Sequence, residues 1–284
     1  MVEIGWTAHR SDDPDASKPH CGDLWTLTWD GSTLAHVMVS AVKPDHVLAW
    51  PVTMPGQASF RPGIILDSPL GCQVTAWPTR ETGIGNHLLG QRLGGLLPAA
   101  TVRSISWALD EDEDPEEVQW AEDWGSEDDE EAFAAHWTEL CFHTGRTDDD
   151  ECFLSETKAR AVGGRATVLA TVLELDPEET RSAWLGERPL TPEQVLALAK
   201  ALDAEPAELL GPDPAYGLWL RLAEPIFKKR VVETATEAGL TETQVRLFAS
   251  RDAYVLAARD DGSARTQQKL LDALRRIAST GSAS

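Results

Sequence analysis

Four potential metal ligands lie close together near the middle of the chain. His136, Cys141, His143 and Cys152 carry side chains that bind zinc when their spacing is right. Their spacing, His-x4-Cys-x-His-x8-Cys, fits no closed zinc pattern, and the first two are five residues apart on a predicted helix, off one face. We therefore expect no metal and no other cofactor.

Motifs for phosphate binding and nucleophilic catalysis are missing from the sequence. The glycines between Gly83 and Gly95 are not followed by Gly-Lys-Ser/Thr, and no Gly-x-Ser-x-Gly elbow occurs. The carboxylate pairs of 110–131 have no apolar surroundings that would shift a pKa toward acid–base work. The sequence thus predicts a protein that is not an enzyme.

The net charge of -22 is concentrated in one stretch. Residues 110–151 contain 19 acidic residues and one basic residue, and 14 of those acids lie in 110–131. The segments on either side are nearly neutral. A polyanion is not drawn to nucleic acid by its overall charge, so any DNA contact requires a local surface.

Length and composition indicate a globular protein of several modules. The chain has 284 residues, of which 42% are hydrophobic and 25% are charged. It has no apolar run of membrane-spanning length and no signal-peptide pattern, and its four cysteines are scattered. We expect a cytoplasmic protein with no membrane contact.

Alternating apolar residues predict β-strands over 23–107. Trp25, Leu27 and Trp29 fall on one face of the first strand, and Asp30-Gly31 follows as a turn signal. Further strand-like runs occur at 34–42, 46–52, 63–66, 72–77 and 101–107. So many short strands favour a small β-barrel.

From about residue 131 onward the apolar period is helical. Asp176-Pro177-Glu178-Glu179 combines an N-cap oxygen, proline at the first helical position and a glutamate three residues after the cap. Thr191-Pro192-Glu193-Gln194 repeats this pattern. Together with helices over 153–162 and 167–175 and a short turn at 205–211, these signals predict a five-helix domain.

The string from Leu169 to Arg188, followed by Leu198-Ala199-Lys200-Ala201-Leu202, resembles the Cro and phage-repressor (XRE) family of helix-turn-helix domains. The likeness covers about sixty residues, 151–211, and includes the small Ala170, which lets the second helix approach the third. It implies that Asp176 to Leu185 is a recognition helix that lies in the major groove.

The resemblance also implies which side chains contact DNA. The residues implied to face bases are Glu178, Glu179, Arg181 and Ser182, and those implied to lie near phosphates are Arg165, Thr167 and Arg188. The two glutamates could accept from cytosine N4 but otherwise repel phosphate. A structural reading stays open: these acids only cap and solubilise their helix.

Residues 20–107 resemble, more loosely, the SH3-like barrel of the MazF/PemK ribonuclease toxins. The likeness rests on Gly22-Asp23-Leu24-Trp25, Trp50-Pro51-Val52-Thr53 and the later Leu88-Leu89-x3-Leu93-Gly94. Thr53 matches a catalytic position of that family, but the arginine expected between the first two strands is absent from Asp30 to His36. Without that cation a barrel here would be catalytically silent, because nothing stabilises the transition-state charge.

We therefore predict an α+β multidomain protein. The predicted parts are a small β-barrel domain at 1–109, an acidic linker with a possible helix at 110–150, the XRE-like domain at 151–211 and a helical C-terminal domain at 212–284. Bases outnumber acids in the last part, whose helices could meet phosphate or simply pack. The interpretation that follows is a DNA-binding transcriptional regulator of toxin–antitoxin or phage-related kind.

In that interpretation the barrel is a sensor or a partner module, and a homodimer is among the expected assemblies. The alternative is a non-enzymatic interaction protein or nucleic-acid mimic whose acidic surface occupies a basic partner.

Overall fold

A computed structural model describes residues 18–115, 118–141, 151–257 and 266–281. The chain divides into two compact units, one formed by 1–144 with 223–229 and the other by 145–222 with 230–284. The described residues contain ten α-helices and an antiparallel sheet, so the mixed α+β class is confirmed.

The first unit is built on an antiparallel sheet. Its strands are β1 (Asp23–Trp29), β2 (Ser32–Val42), β3 (His46–Thr53), β4 (Ile64–Asp67), β5 (Gln73–Ala76), β6 (Thr82–Gly85), β7 (Leu89–Gly95) and β8 (Gln119–Trp120). Their order in the sheet is β7-β1-β2-β3-β5-β4-β8, with β6 pairing β3. The path is open, so no barrel closes within the described strands.

Both faces of this sheet are buried. Trp25 and Leu27 of β1 join one apolar cluster, and Trp29 packs against the same cluster, which confirms the predicted face. Leu24 and Met38 join a second cluster on the opposite face. Because side chains alternate along a strand, a sheet that is apolar on both faces needs a covering layer on each.

Two helices supply those layers. Helix α2 (Glu127–Cys141) places Phe133, Trp137 and Leu140 in the first cluster. Helix α1 (Ala99–Asp110) places Val102 and Ile105 in the second. Each helix therefore covers its own side of the sheet.

The prediction of a strand at 101–107 is wrong, because these residues form the middle of α1. Val102 and Ile105 are three residues apart, a spacing that fits a helical stripe better than a strand face. Pro98 precedes the first turn in an extended conformation and starts the helix.

The acidic stretch 110–131 contains regular structure in the described residues. Its strand β8 pairs with β4, and Ala121 is 2% exposed. The first turn of α2 carries Glu127 to Glu130, where acids favour the positive end of the helix dipole. The segment is thus partly built into the first unit.

The described residues of the second unit form eight helices, one of them only in part, and a two-stranded ladder. These are β9 (Phe153–Leu154), α3 (Glu156–Ala161), α4 (Ala166–Leu173), α5 (Pro177–Trp184), α6 (Pro192–Leu202), β10 (Leu210–Gly211), α7 (Tyr216–Leu222), most of α8 (Pro225–Ala238), α9 (Glu242–Ala257) and α10 (Thr266–Gly281). A single 3₁₀ turn, Pro206–Glu208, precedes β10.

The helix predicted over 153–162 begins later than expected. Phe153 and Leu154 pair with β10 instead, and Ser155 caps α3 by accepting from the Lys158 N–H at 3.4 Å. A short β-ladder therefore occurs within the region whose apolar period is helical. A strand of two residues is defined by the strand with which it pairs, and it is too short to show an alternating apolar pattern in the sequence.

Helix α9 packs against α7 and α10. Its start is capped, since the Gln244 N–H donates to Thr241 Oγ1 at 3.2 Å and the Thr241 N–H donates to Gln244 Oε1 at 3.0 Å. Within the described ranges, no helix combines the length and apolar character that a membrane span requires.

Candidate nucleic-acid interface

Helices α4 and α5 are joined by a turn of three residues. Glu174 ends α4 in the left-handed conformation, with φ at 53°, and Leu175 and Asp176 complete the turn. The two helices pack against each other across this short turn. The left-handed residue is usually glycine, and here a glutamate takes that conformation.

Asp176 fixes where α5 begins. Its carboxylate accepts from the Glu179 N–H at 2.8 Å, while Glu179 Oε2 accepts from the Asp176 N–H at 3.4 Å. This reciprocal pair is the capping box expected from the sequence. Ala183 and Trp184 bury the other side of α5 in the core of the unit, so the remaining face is held outward.

The outward face of α5 presents a short polar row. Glu178 and Arg181 are exposed and Ser182 is half-buried, at spacings of three and four residues that share one helix face. Leu185 continues the row seven residues from Glu178 and is 41% exposed. Sequence reasoning did not single out Leu185, although its helical spacing could have found it.

Two of the predicted contact residues bind each other. Arg188 Nη1 lies 2.6 Å from Glu179 Oε1, and both side chains are about two-fifths exposed. Ser182 also makes a local contact, because its hydroxyl donates to Glu187 Oε2 at 3.3 Å. The ion pair neutralises one cation that the resemblance places near phosphate.

A groove of about 580 Å³ runs between α4 and α5. Thr167 from α4 and Arg181 from α5 both line it, so the structure brings together two predicted residues from different helices. Arg165 precedes α4 as its N-cap residue and is exposed. The floor is apolar and includes Ala170 and Trp184.

Trp184 is held in place by two charged neighbours. The guanidinium carbon of Arg160 lies 5.8 Å from the centre of the indole ring. Hydrogen bonds from Arg160 and then from Trp184 lower the pKa of the Glu156 carboxyl, because they favour its charged form. These contacts thus fix the indole ring of Trp184 in the floor of the groove.

Comparison with known proteins gave no relative. No family model, curated protein or solved structure matches the chain. The geometry of the described residues therefore carries the functional argument alone.

Thr53, which the resemblance matches to a catalytic position of the ribonuclease toxins, is buried, and its hydroxyl is hydrogen-bonded within the first unit. Thr53 Oγ1 donates to the Ala58 carbonyl oxygen at 2.5 Å and accepts from Trp77 Nε1 at 3.3 Å. His36 ends the segment in which the arginine of the ribonuclease family is missing. It pairs with Val52, so its side chain points to the sheet face opposite Thr53. These two groups cannot act on one phosphate from opposite faces.

The predicted metal-ligand candidates are only partly placed. His136 is exposed on α2, Cys152 is a half-buried free thiol, and His143 lies outside the described residues. In the part of the chain that the structure places, no three His, Cys, Asp or Glu side chains form a metal-binding group.

The basic residues of 212–284 are largely bound to acids or carbonyls. Arg246 pairs with Glu242 at 2.8 Å, and Arg276 pairs with Asp252 at 2.7 Å. Lys228, which belongs to the first unit, donates to the carbonyl oxygens of Thr28 at 2.8 Å and His87 at 3.1 Å. Arg259 and Arg265 lie outside the described residues. These contacts favour the packing interpretation of this region over the phosphate-binding one.

Proposed function

We propose that the chain is a DNA-binding transcriptional regulator whose α4–α5 unit enters the major groove. The observation that carries the proposal is the outward face of α5, where Glu178 and Arg181 stand exposed on a helix that is capped at Asp176 and packed through Trp184. A helix that is fixed on one side and polar on the other is suited to reading base edges.

Each exposed side chain has a distinct task in this proposal. Arg181 donates to a guanine edge or to a phosphate, and Glu178 accepts from cytosine N4. Arg165 and Thr167, at the start of α4, contact the phosphates beside the groove. Glu179 and Arg188 hold each other and support the helix start.

The charge of the chain shapes how such binding would behave. Within the described helices α4 and α5, Arg181 is the single basic residue and lies near Glu178 and Glu179. The nonspecific, salt-sensitive attraction of this surface to phosphate is therefore weak. Discrimination between sites then depends on a small number of base contacts. We expect a regulator with a low nonspecific background.

For the first unit we propose a partner-binding module without ribonuclease activity, derived from the SH3-like barrel that its sequence resembles. The buried, satisfied hydroxyl of Thr53 supports the absence of cleavage. In the same proposal the protein is cytoplasmic, its parts are separate domains, and a homodimer reads a two-fold operator.

The test is an anisotropy titration of DNA fragments selected by the full-length protein. Arg181→Ala should weaken binding to the selected fragment by about 1–3 kcal/mol, because a base or phosphate contact is lost. Arg275→Ala is the matched control, since it removes the same charge from an exposed arginine of α10. Equal affinity of both variants, or no fragment retained by the wild type at low salt, overturns the proposal.

A further inference from the structure

A groove beside α1 combines an exposed tryptophan with a strongly acidic rim. Trp107 is 72% exposed and lines a cavity of about 460 Å³ with Arg103, Glu81 and Asp110. A second cavity, of about 550 Å³, shares Glu81 and Asp110 and continues along the residues after the helix. We call this continuous surface the α1 groove.

The rim of the α1 groove is charged in a way that destabilises the helix beside it. Asp110 ends α1, four further acids follow through Asp114, and the last turn of α1 has no basic residue. Carboxylates at this end face the negative pole of the helix dipole. A local arrangement that costs stability is expected where a surface serves a partner.

Two more features of the α1 groove indicate a ligand. Tryptophan is enriched among the anchor residues of protein interfaces, and Trp107 combines its exposure with a place in the lining of the groove. The hydroxyl oxygen of Ser40, which lines the same cavity, is buried and makes no hydrogen bond within the described part of the chain. The groove therefore holds both unused apolar surface and unused hydrogen-bonding capacity.

We propose that the α1 groove binds an arginine-rich segment of a partner protein. Charge complementarity selects this occupant, because Arg103 is the only base among the described lining residues and Glu81 and Asp110 to Asp114 supply acids. A guanidinium stacks on an indole face and forms paired hydrogen bonds with carboxylates. This inference does not depend on DNA binding by the α4–α5 unit.

The experiment titrates a fluorescein-labelled Arg-Ser repeat peptide into the full-length protein at about physiological salt, followed by anisotropy. Trp107→Ala should weaken binding at least about fivefold, as expected for an interface anchor. The triple variant Asp110→Asn, Glu111→Gln, Asp112→Asn should weaken binding to a similar degree.

The matched control removes the same number of charges from α2. Glu127→Gln, Asp128→Asn and Glu131→Gln all replace exposed acids of the same unit. This control should change peptide affinity by less than about twofold, since screening confines the attraction to nearby charges. A Gln-Ser repeat peptide should bind none of the proteins.

The thermal stability of the α1 triple variant shows whether these acids serve binding or hold the fold together. The triple variant at α1 should melt at a higher temperature than the wild type, because it removes negative charge from the negative end of the helix. Higher stability with weaker peptide binding supports the proposal.

Several outcomes overturn the proposal. One is equal loss of peptide affinity in the α1 and α2 triple variants, which indicates attraction to the whole polyanion. Another is unchanged peptide affinity in Trp107→Ala. Competition by millimolar magnesium, or a change in sedimentation on mutating Trp107, would replace the arginine-rich segment with a cation or a second copy of the chain.

Discussion

Two arginine–glutamate pairs in the second unit have the same chemistry and opposite surroundings. Arg246 and Glu242, within α9, are 2.8 Å apart and at most 1% exposed. Arg188 and Glu179, which join α5 to the loop after it, are 2.6 Å apart and 40% and 42% exposed. Distance alone does not distinguish these pairs.

Burial determines what each pair can do. Two charges removed from water must stay paired, and Arg246 also donates to the Leu222 carbonyl at 3.3 Å, so this pair is confined to holding the fold. An exposed pair contributes little to stability and can exchange its partner for another anion. The same distinction separates the buried Thr53 from the exposed Arg181.

The largest effect is expected at the buried pair. Arg246→Ala removes this partner from the Glu242 carboxylate, which is 0% exposed, and should lower the free energy of unfolding by about 3–5 kcal/mol. Chemical denaturation measures the change. The double variant Arg246→Met, Glu242→Leu should recover most of the loss, because it removes both charges, and a loss in the double variant as large as in Arg246→Ala would contradict this account.

Thr53→Val tests whether the ribonuclease-like position is structural. The substitution leaves Trp77 Nε1 without its acceptor and should destabilise the first unit by about 1–3 kcal/mol. Incubation of both proteins with mixed-sequence RNA should show no cleavage by either. Cleavage by the wild type that disappears in the variant would assign Thr53 a catalytic role.

Glu179→Gln tests the exposed pair. Glutamine at this position can keep the capping box, so stability should change by less than about 1 kcal/mol. The substitution frees Arg188 and removes a negative charge from the face proposed to contact DNA, so DNA affinity should rise and its dependence on salt should steepen by about one ion. Titrations at about 0.05 M and about 0.2 M salt measure this slope. A weaker affinity would show that Glu179 itself contacts DNA.

The smallest effect on stability is expected at His36. Its burial is intermediate between that of the Arg246–Glu242 pair and that of the Arg188–Glu179 pair. Burial lowers the pKa of its imidazole, so the unfolded chain binds a proton more readily than the folded one. The stability this group contributes is present above the unfolded pKa of about 6.5 and is lost as the pH falls from that value through the lower folded pKa. Melting temperatures at about pH 5.5 and about pH 7.5 should differ more in the wild type than in His36→Gln. Equal differences would rule out this contribution.

Local signals predicted the local structure well. The caps at Asp176 and Thr191 form as the sequence indicated, because the residues of a capping box lie within one helical turn. The predicted strand face of Trp25 and Leu27 is correct for a similar reason, since it follows from alternation within one strand.

Features that depend on distant partners were not predictable in the same way. The two-residue strands β8 and β9 exist only through pairing with residues far along the chain. The Glu179–Arg188 pair depends on the path of the loop after α5, which no spacing rule gives. The covering of both sheet faces was partly visible in the unbroken apolar run Val37-Met38-Val39.

The structure also changes how the acidic stretch should be tested. Deleting 110–131 would remove β8, Ala121 and the first turn of α2, and so would damage the first unit. Neutral substitutions within the stretch, such as those proposed for the α1 groove, change its charge and keep the chain intact.

The most direct test of the DNA-binding proposal is site-specific cross-linking. A photoreactive phenylalanine analogue placed at Arg181 of the full-length protein should cross-link to the selected DNA fragment on illumination. The same analogue at Arg275 should not cross-link, because α10 lies outside the proposed interface. Cross-linking at Arg275 alone, or binding without any cross-link at Arg181, would contradict the assignment of α5 as the helix that contacts DNA.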